Sequence, residues 1–149
     1  MSSGLGDLEA LRTLSIEPGS VFRMKFLPSD GVVPKDEDDD SRNKYFIIIG
    51  KDHEGNYIAL TLINTDINLK LFNIIGPYQH KIFAAEYEFL KGKDRYIDCY
   101  RIKEVSAERL LAEGIYIGYV SPELLNDVKM LAVSSPTMAP ATVTNYSLA

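Results

Sequence analysis

From Pro18 onward the chain alternates between apolar and polar positions. Residues 20–27 (SVFRMKFL) place Phe22, Met24 and Phe26 on one side and Val21, Arg23 and Lys25 on the other. That period of two predicts a half-buried strand, and Pro28 ends it. Residues 44–50 (KYFIIIG) have no polar interruption after Lys44, as expected of a central strand covered on both faces. Asp52 to Asn56 carry turn chemistry, and residues 57–63 (YIALTLI) complete a hairpin. Residues 64–79 are read as a polar loop, 80–85 as a short strand, 85–90 as one helical turn and 95–105 as one further strand. Ser106 starts a short helix that stops at Gly114, and residues 115–120 form another strand. Ser121 as N-cap, Pro122 at the first helical position and Glu123 in the first turn then open a helix with Leu124, Val128 and Leu131 on one stripe.

These elements predict a mainly-β chain: a small β-barrel with short helices and a C-terminal helix against its mouth. Strands do not alternate with long helices, which argues against a parallel α/β sheet. Residues 1–17 are expected to be an N-terminal arm or a short helix over 7–14 capped by Asp7. Residues 18–133 form the barrel domain. Residues 134–149, rich in proline, small residues and hydroxyls, are expected to be a flexible C-terminal tail.

The length of 149 residues fits one domain, and no apolar run is long enough to span a membrane. The first residues lack the basic and apolar regions of a secretory signal. A single cysteine, Cys99, excludes an intrachain disulfide and fits a reducing cytoplasm. One cysteine and two histidines make a zinc site of the usual kind an unpromising reading, and no metal or other cofactor is expected. Cys99 itself reads as a small buried hydrophobe.

Charge modifies this picture at one place. Asp36, Glu37, Asp38, Asp39 and Asp40 are consecutive, and without them the 16 basic residues meet 16 acidic ones. The net charge of −5 thus belongs to one loop, and a neutral body can still carry a basic groove for nucleic acid. Such a loop would compete with a bound polyanion most strongly at low salt. Neutralising the five acids is expected to strengthen RNA binding there.

The order of segments then matters: PGSVFRMKF at 18–26, SRNKYFIIIG at 41–50, TLINTD at 61–66, YIDCYRIKEV at 96–105 and GYVSPELLNDVKMLA at 118–132. In order and spacing these segments resemble the MazF/PemK-type toxins. The resemblance implies an SH3-like barrel, a symmetric homodimer, metal-independent endoribonuclease activity on single-stranded RNA and an antitoxin partner. It places the basic residue before the second strand at Lys44, with Arg42 two residues earlier, and the hydroxyl closing the third strand at Thr65. Tyr45 stands where the family has proline, and Lys44 where it usually has arginine. A lysine is a point charge without the fork of a guanidinium.

The chemistry implied is attack of the 2′-hydroxyl on the adjacent phosphorus, with a fixed cation stabilising the charge that grows on the phosphoryl oxygens. Lys44, Arg42 and Thr65 are therefore the expected catalytic residues. Asn43, Asn64 and His80 are the expected substrate contacts, His80 also being the candidate base because it titrates near neutrality. Each residue has a plainer alternative. Arg42 and Lys44 could pair with the acid run, and Asn64 and Thr65 could cap a turn. Tyr57, Tyr96, Tyr100, Tyr116 and Tyr119 could stack on bases or serve the core or a dimer face. A catalytically inactive barrel that binds protein or nucleic acid is the alternative to the enzyme.

Overall fold

The computed structural model describes residues 16–30 and 42–149. The expected helix at 7–14 and the acid run Asp36 to Asp40 lie outside the described residues. Seven strands form one antiparallel sheet: β1 (Ser20–Phe26), β2 (Arg42–Lys51), β3 (Tyr57–Asn64), β4 (Gln79–Ile82), β5 (Arg95–Asp98), β6 (Lys103–Ser106) and β7 (Ile115–Tyr119). Their order is β4-β5-β3-β2-β1-β7, with β6 also on β3. Among the described residues β4 and β7 stand at opposite ends and do not pair, so the sheet is open rather than closed into the expected barrel.

The helices are α1 (Phe72–Ile75), α2 (Ala107–Glu113), α3 (Pro122–Ser134) and α4 (Pro140–Asn145). With several short 3-10 turns they hold about as many residues as the strands, so the chain is a mixed structure around a β-sheet and only roughly mainly β. Ser121 caps α3 as its sequence predicts, its hydroxyl accepting from the Leu124 amide at 3.1 Å. Ser106 does the same for α2 through the Arg109 amide at 3.1 Å.

β2 is covered on both faces. Phe46 and Ile48 point into one cluster, with Phe22, Met24, Phe26 and Leu60. Ile47 and Ile49 point into the other, with Val21, Ile63, Ile97 and Val128. This is the period-two rule applied to a strand with two apolar faces. Cys99 is fully buried in the second cluster, and burial pushes its thiol pKa well up.

Three expectations need correction. Residues 95–105 are not one strand. The Tyr100 amide turns back onto Asp98 Oδ1 at 3.0 Å, and the break lets β5 and β6 pair with different parts of β3. Residues 64–79 are not simply a loop but contain α1 and adjoining helical turns. Residues 134–149 are not a loose tail. Proline at the first position of α4 starts a helix that carries Tyr146 and Leu148 into the core. Small and hydroxyl residues masked that apolar pair. The packing is close: a Cβ on Gly50 would lie 2.7 Å from the Tyr146 carbonyl oxygen. Gly50 also follows the register shift between β2 and β3, where the strand needs local freedom.

Candidate anion cleft

The β2–β3 hairpin sets Tyr45 opposite Ile63, so the preceding Lys44 lies beside Asn64. The Lys44 ammonium donates to Asn64 Oδ1. Lys44 is only 6% exposed, unusual for a lysine with no carboxylate partner among the described residues. Burial above all, with Arg42 and Arg95 beside it, pulls its pKa down to about 8; Asp98 opposes the shift.

Around Lys44 the strands gather four more cations. Arg23 comes from β1, Arg42 from the start of β2, Lys91 from the turn before β5, and Arg95 from the start of β5. Together they line a cleft of about 230 Å³, with Asn43 and Thr65 at its rim. No carboxylate lines it among the described residues. None of the five cations makes an ion pair there either. The Arg95 guanidinium lies 5.4 Å from the centre of the Tyr45 ring, which holds it over an aromatic face. Its Nε is buried without a hydrogen-bond partner. Lys91 sits in the left-handed region at φ 55°, a conformation that non-glycine residues rarely adopt. Five positive groups with no carboxylate lining the cleft among the described residues make a site that favours an anion.

Five of the six residues singled out in the sequence meet here. Lys44, Arg42, Asn43 and Thr65 line the cleft, and Asn64 holds the lysine. The turn-cap alternative for Asn64 is not what the structure shows: Asn68 caps the following turn, accepting from the Lys70 amide at 3.0 Å. His80 is not brought in. On β4 it lies opposite Ile97, with Nε2 4.0 Å from Asp127 Oδ2 on α3 and Nδ1 2.9 Å from the Lys81 carbonyl oxygen. It lines neither the cleft nor the cavity beside it.

Sequence reasoning missed Arg23, Lys91 and Arg95. Arg23 was within reach, because β1 pairs with β2 and sets it opposite Tyr45. Arg95 and Lys91 depend on β5 returning to β3, a long-range pairing with no local signal. Of the tyrosines, Tyr57, Tyr116 and Tyr119 are exposed, which sets the core aside for these three, although the Tyr116 ring meets Phe22 edge-on at 5.5 Å.

A larger cavity, about 840 Å³, lies between β7, α2 and α3 and is lined mainly by apolar side chains such as Phe22, Leu110 and Leu125. It carries no cation among the described residues and is separate from the cleft. No described helix is long and apolar enough to cross a membrane. No family model and no curated protein matches the chain.

Proposed function

We propose that this chain binds the phosphodiester backbone of single-stranded RNA in the cationic cleft and cleaves it there as an endoribonuclease of MazF/PemK type. The observation that carries the reading is the convergence of five cations, none ion-paired among the described residues, on one anion-sized cleft, one of them a buried lysine. A bound phosphate supplies the missing counter-charge, and Lys44 is then held protonated.

In the reaction the 2′-oxygen attacks phosphorus and the bond from phosphorus to the 5′-oxygen breaks, leaving a 2′,3′-cyclic phosphate. The 2′-hydroxyl proton passes to solvent. Arg42 and Arg95 stabilise the charge growing on the non-bridging oxygens, and Thr65 orients the phosphate. Lys44 is suited to hand its proton to the departing 5′-oxygen, since a group that titrates near neutrality serves well as a general acid. The chain's own cations do the work that a metal ion does elsewhere. An SH3-like ancestry of the open sheet, a homodimer and an antitoxin partner belong to the same proposal, and the segments quoted from the sequence support them.

A long unstructured RNA incubated with the protein in EDTA tests this reading. Cyclic-phosphate ends are expected, lost in Lys44→Ala and reduced about 100- to 1,000-fold in Arg95→Ala. Intact RNA that is nevertheless bound would favour the second reading, a binding module without catalysis. Lysine in place of the family's arginine and Tyr45 in place of its proline are the features that favour it. If phosphate contacts drive binding, removing Arg95 lowers the slope of log affinity against log salt by about 0.7.

A further inference from the structure

Beside the cationic cleft lies a second cavity of about 480 Å³, which shares Arg42 and Thr65 with it. Its chemistry is different. Asn64, Asn68, Gln79, a second cation, Lys93, and two carboxylates, Asp66 and Asp98, line it, and Ile67 and Ile75 give it apolar surface. Its two carboxylates offset its two cations, Arg42 and Lys93, so unlike the cleft it holds no excess of positive charge. Its volume falls within the range of about 300–1,000 Å³ typical of small-ligand sites, and a few polar groups over apolar walls suit a flat heterocycle.

The hydrogen bonds leave a definite set of groups open. Asp98 Oδ1 accepts from Gln79 Nε2 and from the Tyr100 amide, both at 3.0 Å. Asp98 Oδ2 and Gln79 Oε1 have no partner among the described residues. Asn64 Oδ1 is taken by Lys44 and Asn68 Oδ1 by the Lys70 amide, so these side chains offer their Nδ2 donors. Pairing of β4 with β5 sets Gln79 directly opposite Asp98, and the Nε2 bond to Asp98 ties the two side chains together at the cavity wall.

We infer that this second cavity is a nucleobase pocket and that it selects guanine. The inference rests on the RNA reading above. A nucleotide whose phosphate sits on Arg42 in the cleft has its base next to the shared wall. The pocket sets the acceptors of Asp66, Asp98 and Gln79 beside the donors of Lys93, Asn64 and Asn68, and guanine presents the most donors on its pairing edge, N1–H and both hydrogens of N2, next to the acceptor O6. Adenine and cytosine present one amine each. Uracil presents one N–H between two carbonyl oxygens, which the carboxylates repel. Guanine O6 accepts from an asparagine amide.

The test uses pentanucleotides UUNUU in which N is each of the four bases. All are 2′-O-methylated, so that binding is measured without cleavage, and affinity is read by fluorescence anisotropy. The guanine oligonucleotide is expected to bind about tenfold more tightly than the others. Asp98→Asn, which keeps the side chain's size, should reduce that preference to about twofold or less. Asp66→Asn, at an exposed position where folding is not at stake, should reduce it in the same direction. Arg95→Ala should weaken all four alike and leave the preference intact. Equal binding of the four by the unaltered protein, or a preference unchanged in both carboxylate variants, overturns the base pocket and leaves the phosphate cleft standing. No binding of any oligonucleotide at low salt overturns the RNA reading and this inference with it.

Discussion

Replacing Lys44 with methionine should make the protein more stable at neutral pH while abolishing cleavage. In water a lysine ammonium keeps its proton up to about 10.5; in the cleft, burial and then Arg42 and Arg95 pull that value to about 8. The difference corresponds to about 3 kcal/mol, which solvent in the open cleft reduces to about 2 kcal/mol. Below pH 8 the group is charged in the folded and unfolded chain alike, and the fold bears the whole penalty. Between pH 8 and 10.5 the unfolded chain binds more protons, so stability rises with pH. Above 10.5 the penalty is gone. Methionine has similar length and no charge, but loses the charge-assisted hydrogen bond to Asn64, about 1.5 kcal/mol. The net gain at pH 7 is about 0.5 kcal/mol, or a rise in Tm of about 1–2 °C for a chain of this size. Thermal melts of both proteins at pH 7 and pH 10.5 decide the matter. The gain should vanish or reverse at the higher pH. A variant that melts lower at pH 7, or a difference that is the same at both pH values, refutes the reasoning. It would mean that the fold does not disfavour the ammonium.

Two further outcomes concern the scaffold. Asp30 takes both terminal nitrogens of Arg109 at 2.8 and 2.9 Å, and chiefly that contact holds its carboxyl pKa below 3.8. Its contribution is present above pH 3.8 and lost as pH falls through the lower folded value. Asp30→Asn should therefore destabilise by about 1.5 kcal/mol at pH 7 in urea titrations, with the difference fading as the pH falls below 3.8 and the folded carboxyl is protonated. Leu148→Ala should cost about 2–4 kcal/mol by urea denaturation, as for a buried leucine in a core, and should leave phosphate affinity unchanged.

The parts of the fold with a local signature were legible. The alternation at 20–27, the apolar run at 44–50 and the Ser-Pro-Glu opening of α3 each state their element in a few residues. The hairpin follows from two adjacent strands and a turn, and it alone brings Lys44 to Asn64. What was not legible depends on contacts between distant segments. Whether a sheet closes is decided by its end strands, and nothing local to β4 or β7 states whether they meet. Arg95 entered the cleft only through β5 pairing with β3. His80 is the right residue type for a base but lies on the wrong side of β4, a matter of register that residue type does not disclose. The C-terminal residues misled because α4 is short and polar, while its anchors, Tyr146 and Leu148, follow it.

One strand serves as a common wall for both hydrophobic clusters, with successive side chains of β2 going to alternate sides. Neither half can come apart without exposing the other, which ties the described body into one cooperative unit. The cationic cleft lies at the start of that same strand, on side chains the clusters do not require. Residues such as Arg42 and Asn43 are thus free to be exchanged over generations while the wall behind them stays put. A scaffold of this kind can change what it grips without first having to relearn how to fold.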